Sequence, residues 1–377
     1  DRSKSRCGMQ RVSLAALLPG MTVASNVRDA DGRLLVRNGM VLTEASIKKF
    51  NQLGIGSVYI KNPLFEAIDV PELVKEDTRV RLIQALQAAF LDYQKTGDLD
   101  TLALRSEVKN MVAEIIGNRD AMIHTFDLRT YQDYVYAHSV NVAVISVLIA
   151  LNLDYNEAKL IDLAVGSLLH DIGMLAVPRE ILLKMGNLTP AESEAVQDHA
   201  RQGFEIIRKR REVSTLAAHI AFQHHERVDG TGYPRRLKGD AIHEYARIVA
   251  VADIFDALIA DRPYRKGLLP HEAYEIIMTL ADRYIDKAIL DIFLTNVAIY
   301  PVGTVVQLSS GETAVVAKVH PKLQARPVVK VLLDRAGALV KDGPNFDLAR
   351  HLTTFVTKVY KEQELFSLGA FAACFRS

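Results

Sequence analysis

Hydrophobic positions change their spacing several times along the chain, and each change predicts a different kind of unit. Over residues 12–60 they come in short bursts. VASNVRDADGRLLV holds two apolar segments around Asp31-Gly32, a dipeptide that favours a tight hairpin turn. In the following TEASIKKFNQLG, Thr43 is placed to cap a helix and Gly54 to end it, and SVYI then reads as a short strand. These elements predict a small α+β module at residues 1–66, without His, Cys or a glycine-rich phosphate loop over 12–60. Pro63 and Pro71 break the pattern. Over 78–93 and 102–116 apolar residues return every three or four positions, which predicts amphipathic helices in a linker at 67–120. From about 130 to 296 the pattern is almost wholly helical, interrupted by VPREILLKMGNLTP and by HERVDGTGYPRRLKGD. The segment AESEAVQDHARQGFEIIRK reads there as one long helix. Beyond Pro301, β-branched residues alternate around turns at Ser310-Gly311 and Ala336-Gly337, so a small β unit and tail are expected at 299–377. The fold class expected is mainly α, a helical bundle between a small α+β module and a small β unit.

Composition narrows the classes of function. At 377 residues, two or three domains are expected. Apolar residues at 49% and charged residues at 24% are ordinary for a globular chain and exclude wholesale disorder. A net charge of +1 gives no field toward nucleic-acid polymers or anionic membranes, so an anionic substrate has to be attracted locally. Cys7 and Cys374 are too few for a disulfide framework or a Cys-rich zinc site and suit a reducing compartment. The chain opens at Asp1 rather than Met, which points to processing, trimming or excision from a longer chain. Its first ten residues are mostly polar and give no signal-peptide pattern. The longest apolar stretch, 140–151, contains Asn141 and Ser146 and falls short of the roughly 20 residues of a membrane span. A soluble, cytoplasmic protein is expected.

Candidate chemistry is concentrated in the helical region. Seven of the eleven histidines lie between His138 and His243, and four of those seven adjoin another His or an Asp. His170-Asp171 ends an apolar helix in LLHDIG, His224-His225 ends another in AFQHHE, and Asp253 interrupts the apolar VAVADIFDAL. An ionised carboxylate in such a helix needs something to neutralise it. A lone His is usually a core or surface residue, and His124, His219, His243, His271, His320 and His351 are read that way. Together with His138 and His199, however, the pairs make a set suited to Fe, Mn, Zn or Ni at a hydrolytic centre. A helical bundle can converge such a set on one pocket. A carboxylate shared by two cations suits attack on a phosphodiester, and Asp171 is the best candidate for it. Gly230 and Gly232 permit sharp turns after the His pair, and Tyr233 offers an aromatic face for stacking on a planar ligand.

The order H…HD…H…HH…D, with HHERVDGTGYP followed by VADIFDAL and DRPYR, resembles the HD-GYP family of bacterial cyclic di-GMP phosphodiesterases over about residues 121–298. The resemblance implies a helical HD-type catalytic bundle with metal ligands at His138, His170, Asp171, His199, His224, His225 and Asp253. By analogy, His138, His170, Asp171 and Asp253 hold one divalent cation, and Asp171 bridges to a second held by His199, His224 and His225. A bridging hydroxide would then be the nucleophile. Fe or Mn would be the metal, with Ni or Zn as alternatives, and cyclic di-GMP would be opened to pGpG, with further cutting to GMP left open. Arg262 and Arg265 resemble the family residues that hold substrate phosphate, a task suited to a guanidinium.

Two positions depart from the family pattern. Tyr134 stands where some members carry a Glu that helps hold a third metal, so two cations are expected. Met174 stands where many carry the Lys of HDIGK, which removes a charge-assisted phosphate contact worth about 1.5–3 kcal/mol. Two alternatives stay open: a nucleotide phosphohydrolase of the wider HD superfamily, and a catalytically weak cyclic di-GMP receptor. The N-terminal unit resembles an uncharacterised module ahead of some HD-GYP domains, and a regulatory role is expected of it, through a homodimer or a signalling partner protein.

Overall fold

The computed structural model describes residues 8–28, 34–53, 55, 57–66, 68, 73–118, 122, 134–184, 186–260, 267–369 and 371. In the N-terminal module, β1 (Met9–Ser13) pairs antiparallel with β4 (Ser57–Lys61). Strands β2 (Val27–Arg28) and β3 (Leu34–Val36) pair antiparallel around Asp31-Gly32, which lies outside the described residues. Helix α1 (Glu44–Gln52) starts where its cap predicts: the Thr43 hydroxyl accepts the Ser46 N–H, and the Ser46 hydroxyl accepts the Thr43 N–H.

Helices α2 (Glu76–Thr96) and α3 (Leu102–Gly117) follow. Their apolar stripes, Leu82, Leu86 and Phe90 on one and Val108, Met111 and Ile115 on the other, are buried in the same core as the helices that come next. At its centre runs α4 (Tyr134–Leu151), buried without interruption over residues 137–150. A helix apolar on every side is stable only when other helices surround it. Here α2, α3, α5 (Glu157–Leu169), α10 (Glu244–Ile259) and α12 (Lys287–Asn296) do so. A single turn, α6 (Arg179–Leu182), precedes α7 (Pro190–Gln197) and α8 (His199–Ile207). The sequence reading of this stretch as one helix is corrected only by a one-residue interruption at Asp198, which separates α7 from α8 while keeping right-handed helical dihedrals of φ −64° and ψ −15°. Helix α9 (Thr215–Gln223) packs on α5 and α8, and α11 (Pro270–Met278) packs on α10.

The C-terminal unit is one antiparallel sheet in the order β8-β7-β6-β5-β9, formed by β5 (Val305–Leu308), β6 (Thr313–Lys318), β7 (Val328–Leu333), β8 (Asn345–Asp347) and β9 (Val356–Val359). The short α13 (Glu362–Ser367) follows it. Phe65, from the end of the N-terminal module, and Ile68, just beyond it, are buried in the core of this sheet, and the Phe65 ring meets Phe371 edge-on at 6.5 Å. The architecture is mainly α with a small α+β module and a small β unit, as expected. Among the described residues no helix is long and apolar enough to cross a membrane.

Candidate metal centre

Five helices deliver the site. His138 comes from α4, His170 from the C-terminus of α5, Asp171 from the turn after it, and His199 from the first residue of α8. His224 and His225 follow the last residue of α9, and Asp253 lies in the middle of α10. Gly173 makes the convergence possible. A Cβ there would lie 1.9 Å from the His199 carbonyl oxygen and 2.6 Å from the Gly203 nitrogen, so only glycine lets α8 approach the His-Asp turn.

The imidazoles are held from behind. His170 Nδ1 lies 2.7 Å from the Ser167 carbonyl, His199 Nδ1 lies 2.6 Å from the Val196 carbonyl, and His224 Nδ1 lies 3.0 Å from the Ala221 carbonyl. A carbonyl only accepts, so each Nδ1 carries the hydrogen and each Nε2 is left as a lone pair facing the interior. His138 is held in the same sense by a carboxylate, Asp256 Oδ2, at 2.6 Å from its Nδ1. Imidazoles that ligate metals are supported in this way.

In front of the rings the ligand atoms form two groups that share Asp171. One contains Asp171, His199, His224 and His225, the other His138, His170 and Asp171. Within each group the ligand atoms lie within 4.8 Å of one another. Asp171 Oδ1 is 3.4 Å from His199 Nε2 and 3.6 Å from His224 Nε2, while Oδ2 is 3.3 Å from His170 Nε2. Asp253 stands outside both tight groups, with Oδ1 3.2 Å from His138 Nε2.

These residues fit a divalent cation. His170 Nε2 and Asp171 Oδ1 are buried without a hydrogen-bond partner, a costly arrangement unless something bound completes it. His199 Nε2 and His224 Nε2 face each other at 3.3 Å, and with both hydrogens on Nδ1 their lone pairs point at one another. Imidazole nitrogen with carboxylate oxygen is a donor set for first-row transition metals and zinc.

The electrostatics agree with the geometry. Burial would raise the Asp171 carboxyl, but His170 and His224 hold it well below the usual range. Burial would likewise raise Asp253, and the hydrogen bond from His138 lowers it. Burial pushes His225 well below the ordinary imidazole value, helped by neighbouring His224, and burial also lowers His199, so both stay neutral and able to ligate. His138 goes the other way. Burial would lower it, but the carboxylates of Asp253 and Asp256 raise it well above the usual value. The pocket thus favours positive charge at its centre.

The loop after the His pair folds back over this group. The buried carboxylate of Glu226 accepts the N–H groups of Arg235 and Leu237, both at 2.8 Å, and so ties the two ends of the loop together. A Cβ at Gly232 would lie 2.4 Å from the Arg227 nitrogen and 2.5 Å from the His225 carbonyl oxygen, which explains glycine there. The Tyr233 ring is thereby set 4.7 Å from the His225 ring, and its hydroxyl is raised by burial and by nearby Asp171. Arg262 and Arg265, and the side chain of Tyr134, lie outside the described residues. Met174 sits half-buried on the turn that follows Asp171.

Sequence reasoning missed Asp256, Asn141 and Glu226. Asp256 lies three residues after Asp253, and Asn141 three after His138, so helical spacing put each on the face of a residue already singled out. Of the histidines read as ordinary, His243 caps α10, His219 meets Gln223 and His320 pairs with Asp347. His124 lies outside the described residues.

Residues 121–289 match the HD domain, and residues 305–368 match a KOW domain associated with the HD domain. The chain is therefore an HD-domain protein with a KOW unit behind it. HHERVDGTGYP follows the HD pair in that domain, the feature that carries the resemblance to the HD-GYP family. It is 36% identical over 249 residues to the cyclic di-GMP phosphodiesterase PA4108 of Pseudomonas aeruginosa, a match covering 66% of this chain and 59% of that one. It is 47% identical over 144 residues to the 3'3'-cGAMP-specific phosphodiesterase 3 of Vibrio cholerae, covering 38% of this chain and 31% of that one. A cyclic di-GMP phosphodiesterase of Thermotoga maritima is 35% identical over 190 residues, half of each chain. The chain thus spans between about a third and three-fifths of the length of these relatives.

Proposed function

We propose that the chain is a metal-dependent phosphodiesterase that hydrolyses cyclic di-GMP to linear pGpG, with GMP as the product of a second cut. The observation that carries this reading is the pair of ligand groups sharing Asp171, each with imidazole lone pairs directed inward. In the finer form of the proposal, His138, His170, Asp171 and Asp253 hold one divalent cation, and Asp171, His199, His224 and His225 hold a second. Fe or Mn is expected, with Ni or Zn also suited to the donors. Bound cations supply Lewis acidity and an activated water for attack at phosphorus. The chain's own groups do the rest. Asp171 remains ionised and touches both groups, Tyr233 offers an aromatic face beside His225 for a purine, and Arg262 and Arg265 are proposed to take the phosphates. The relatives named for cyclic di-GMP at 36% and 35% identity support this substrate.

A second reading, 3'3'-cGAMP as substrate, is favoured by the 47% identity to a relative named for that dinucleotide. The two substrates differ in one base and share the phosphodiester chemistry. The test is hydrolysis of both by anaerobically purified chain reconstituted with Fe(II) or Mn(II), beside Asp171→Asn. Metal-dependent formation of pGpG, lost in the variant, is the expected outcome. Preference for 3'3'-cGAMP would reassign the substrate, and no turnover of either by metal-loaded chain would leave the receptor reading.

A further inference from the structure

Behind His138 a line of polar side chains leads out of the site to α2. His138 Nδ1 meets Asp256 Oδ2 at 2.6 Å, Asn141 Nδ2 donates to Asp256 Oδ1 at 2.9 Å, and Arg79 Nη1 donates to Asn141 Oδ1 at 3.1 Å. Chemistry fixes the direction of this line. A guanidinium only donates and a carboxylate only accepts, so the Asn141 amide has one orientation that satisfies both. Asp256 is 1% exposed, and a carboxylate that deep needs donors on both oxygens. One oxygen orients the imidazole, and the other is held by Asn141.

We infer that Arg79 and Asn141 are positioning residues of the metal centre. They hold Asp256 so that it holds the His138 ring, with Nε2 turned toward Asp253 and the shared pocket. This rests on the metal-centre reading above. Arg79 belongs to α2, outside residues 121–289 that match the HD domain, so a helix ahead of that domain takes part in building its site. Asn141 lies one turn from His138 on α4 and Asp256 one turn from Asp253 on α10, so the line ties three helices together at the site's edge. A shift of α2 against α4 therefore reaches a ligand through three hydrogen bonds.

The test uses the full chain, stripped with a chelator and titrated with Mn(II) by calorimetry. The melting temperature of each metal-free protein is measured alongside. Loss of a partner behind a ligating imidazole weakens metal binding by about 10- to 100-fold. One Mn(II) site should weaken about tenfold in Arg79→Ala and at least as much in Asn141→Ala, with Arg79→Lys recovering part of the loss. Arg81→Ala, on the same helix but paired with Glu107, should stay within about twofold of the unaltered chain. Asn141→Ala exposes a buried carboxylate to the loss of a donor, so Arg79→Ala is the decisive variant if the other fails to fold. A purely structural role would lower the metal-free melting temperature and leave Mn(II) affinity unchanged. That result in Arg79→Ala would overturn the inference. Failure of the unaltered chain to take up Mn(II) would instead overturn the metal-centre reading, and the inference with it.

Discussion

Gly173→Ala adds one methyl group at the tightest point of the site. That carbon would stand 1.9 Å from the His199 carbonyl oxygen, 2.6 Å from the Gly203 nitrogen and 2.8 Å from the His199 carbonyl carbon. All three atoms are backbone, so no side chain can swing aside. To reach even 3.0 Å, the lower bound of real contacts, the first turn of α8 has to withdraw by about 3.0 − 1.9 = 1.1 Å. Overpacking of this kind costs about 1–3 kcal/mol, and rigid neighbours place this case at the upper end. The functional cost is larger. His199 leads α8, with Nε2 3.4 Å from Asp171 Oδ1, and metal–ligand distances tolerate only about 0.2 Å. A withdrawal of about 1 Å takes His199 out of the group it shares with Asp171, His224 and His225.

Two measurements read these effects separately. Urea unfolding of the metal-free protein gives the packing cost, and Mn(II) titration of the native protein gives the site. Gly173→Ala should lose about 2–3 kcal/mol of stability and one metal equivalent. Gly117→Ala, at the end of α3 with open space around it, should be neutral. An unchanged urea midpoint together with unchanged Mn(II) stoichiometry in Gly173→Ala would refute the argument that this glycine sets the distance between the His-Asp turn and α8.

Other consequences are as direct. Glu226→Gln leaves one of the Arg235 and Leu237 N–H groups facing an amide donor, at a cost of about 1–3 kcal/mol. Faster amide exchange at both positions and a rise in KM that exceeds any fall in kcat are expected, and unchanged exchange would remove the clamp. Phe65→Ala, in the N-terminal module, should destabilise the C-terminal sheet by about 3–5 kcal/mol, seen as lost exchange protection in β6 and β7. Intact protection there would mean that the two units are held independently. Glu192, in the capping box of α7, is lowered to about 2 by Lys184 and by the Thr189 backbone. A depressed carboxyl stabilises the fold above its ordinary value of 4.5 and loses that contribution as pH falls toward 2. Glu192→Gln should therefore narrow the difference between urea midpoints at about pH 6 and about pH 3, and an undiminished difference would show that other groups carry it.

Much of this was legible in the sequence because the signals were local. The cap at Thr43, the apolar period of α2 and α3, and the turn at Ser310-Gly311 each lie within one element. The His and Asp pairs stood out because they interrupt apolar helices. What escaped was set by tertiary contact. Helical periodicity runs straight through Asp198, and it does not reveal the close approach of α8 to the His-Asp turn at Gly173, which brings His199 to Asp171. Asp256 and Glu226 look like ordinary surface charges until burial gives them partners. Phe65 reads as the end of the N-terminal module and Ile68 as linker, because nothing near them announces a sheet more than 200 residues away.

The distribution of charge links these observations. The chain as a whole carries +1, which attracts no anion from a distance. Yet Asp171, Asp253 and Asp256 all meet the same cluster of imidazoles, in which His199 and His225 are held neutral by burial. Carboxylates in such a place are tolerated only with compensating positive charge. In the metal-free chain part of that demand falls on imidazole, which is why His138 and His170 are both pushed toward the cationic form against the effect of burial. A divalent cation meets the same demand without holding a proton on a ligand nitrogen, and its binding releases those protons. On the proposed function, the attraction for an anionic dinucleotide, which neither the net charge nor Met174 provides, would come from cations held by these carboxylates. An acidic interior and an anionic substrate are compatible on that proposal, because the charge of a bound cation would offset both.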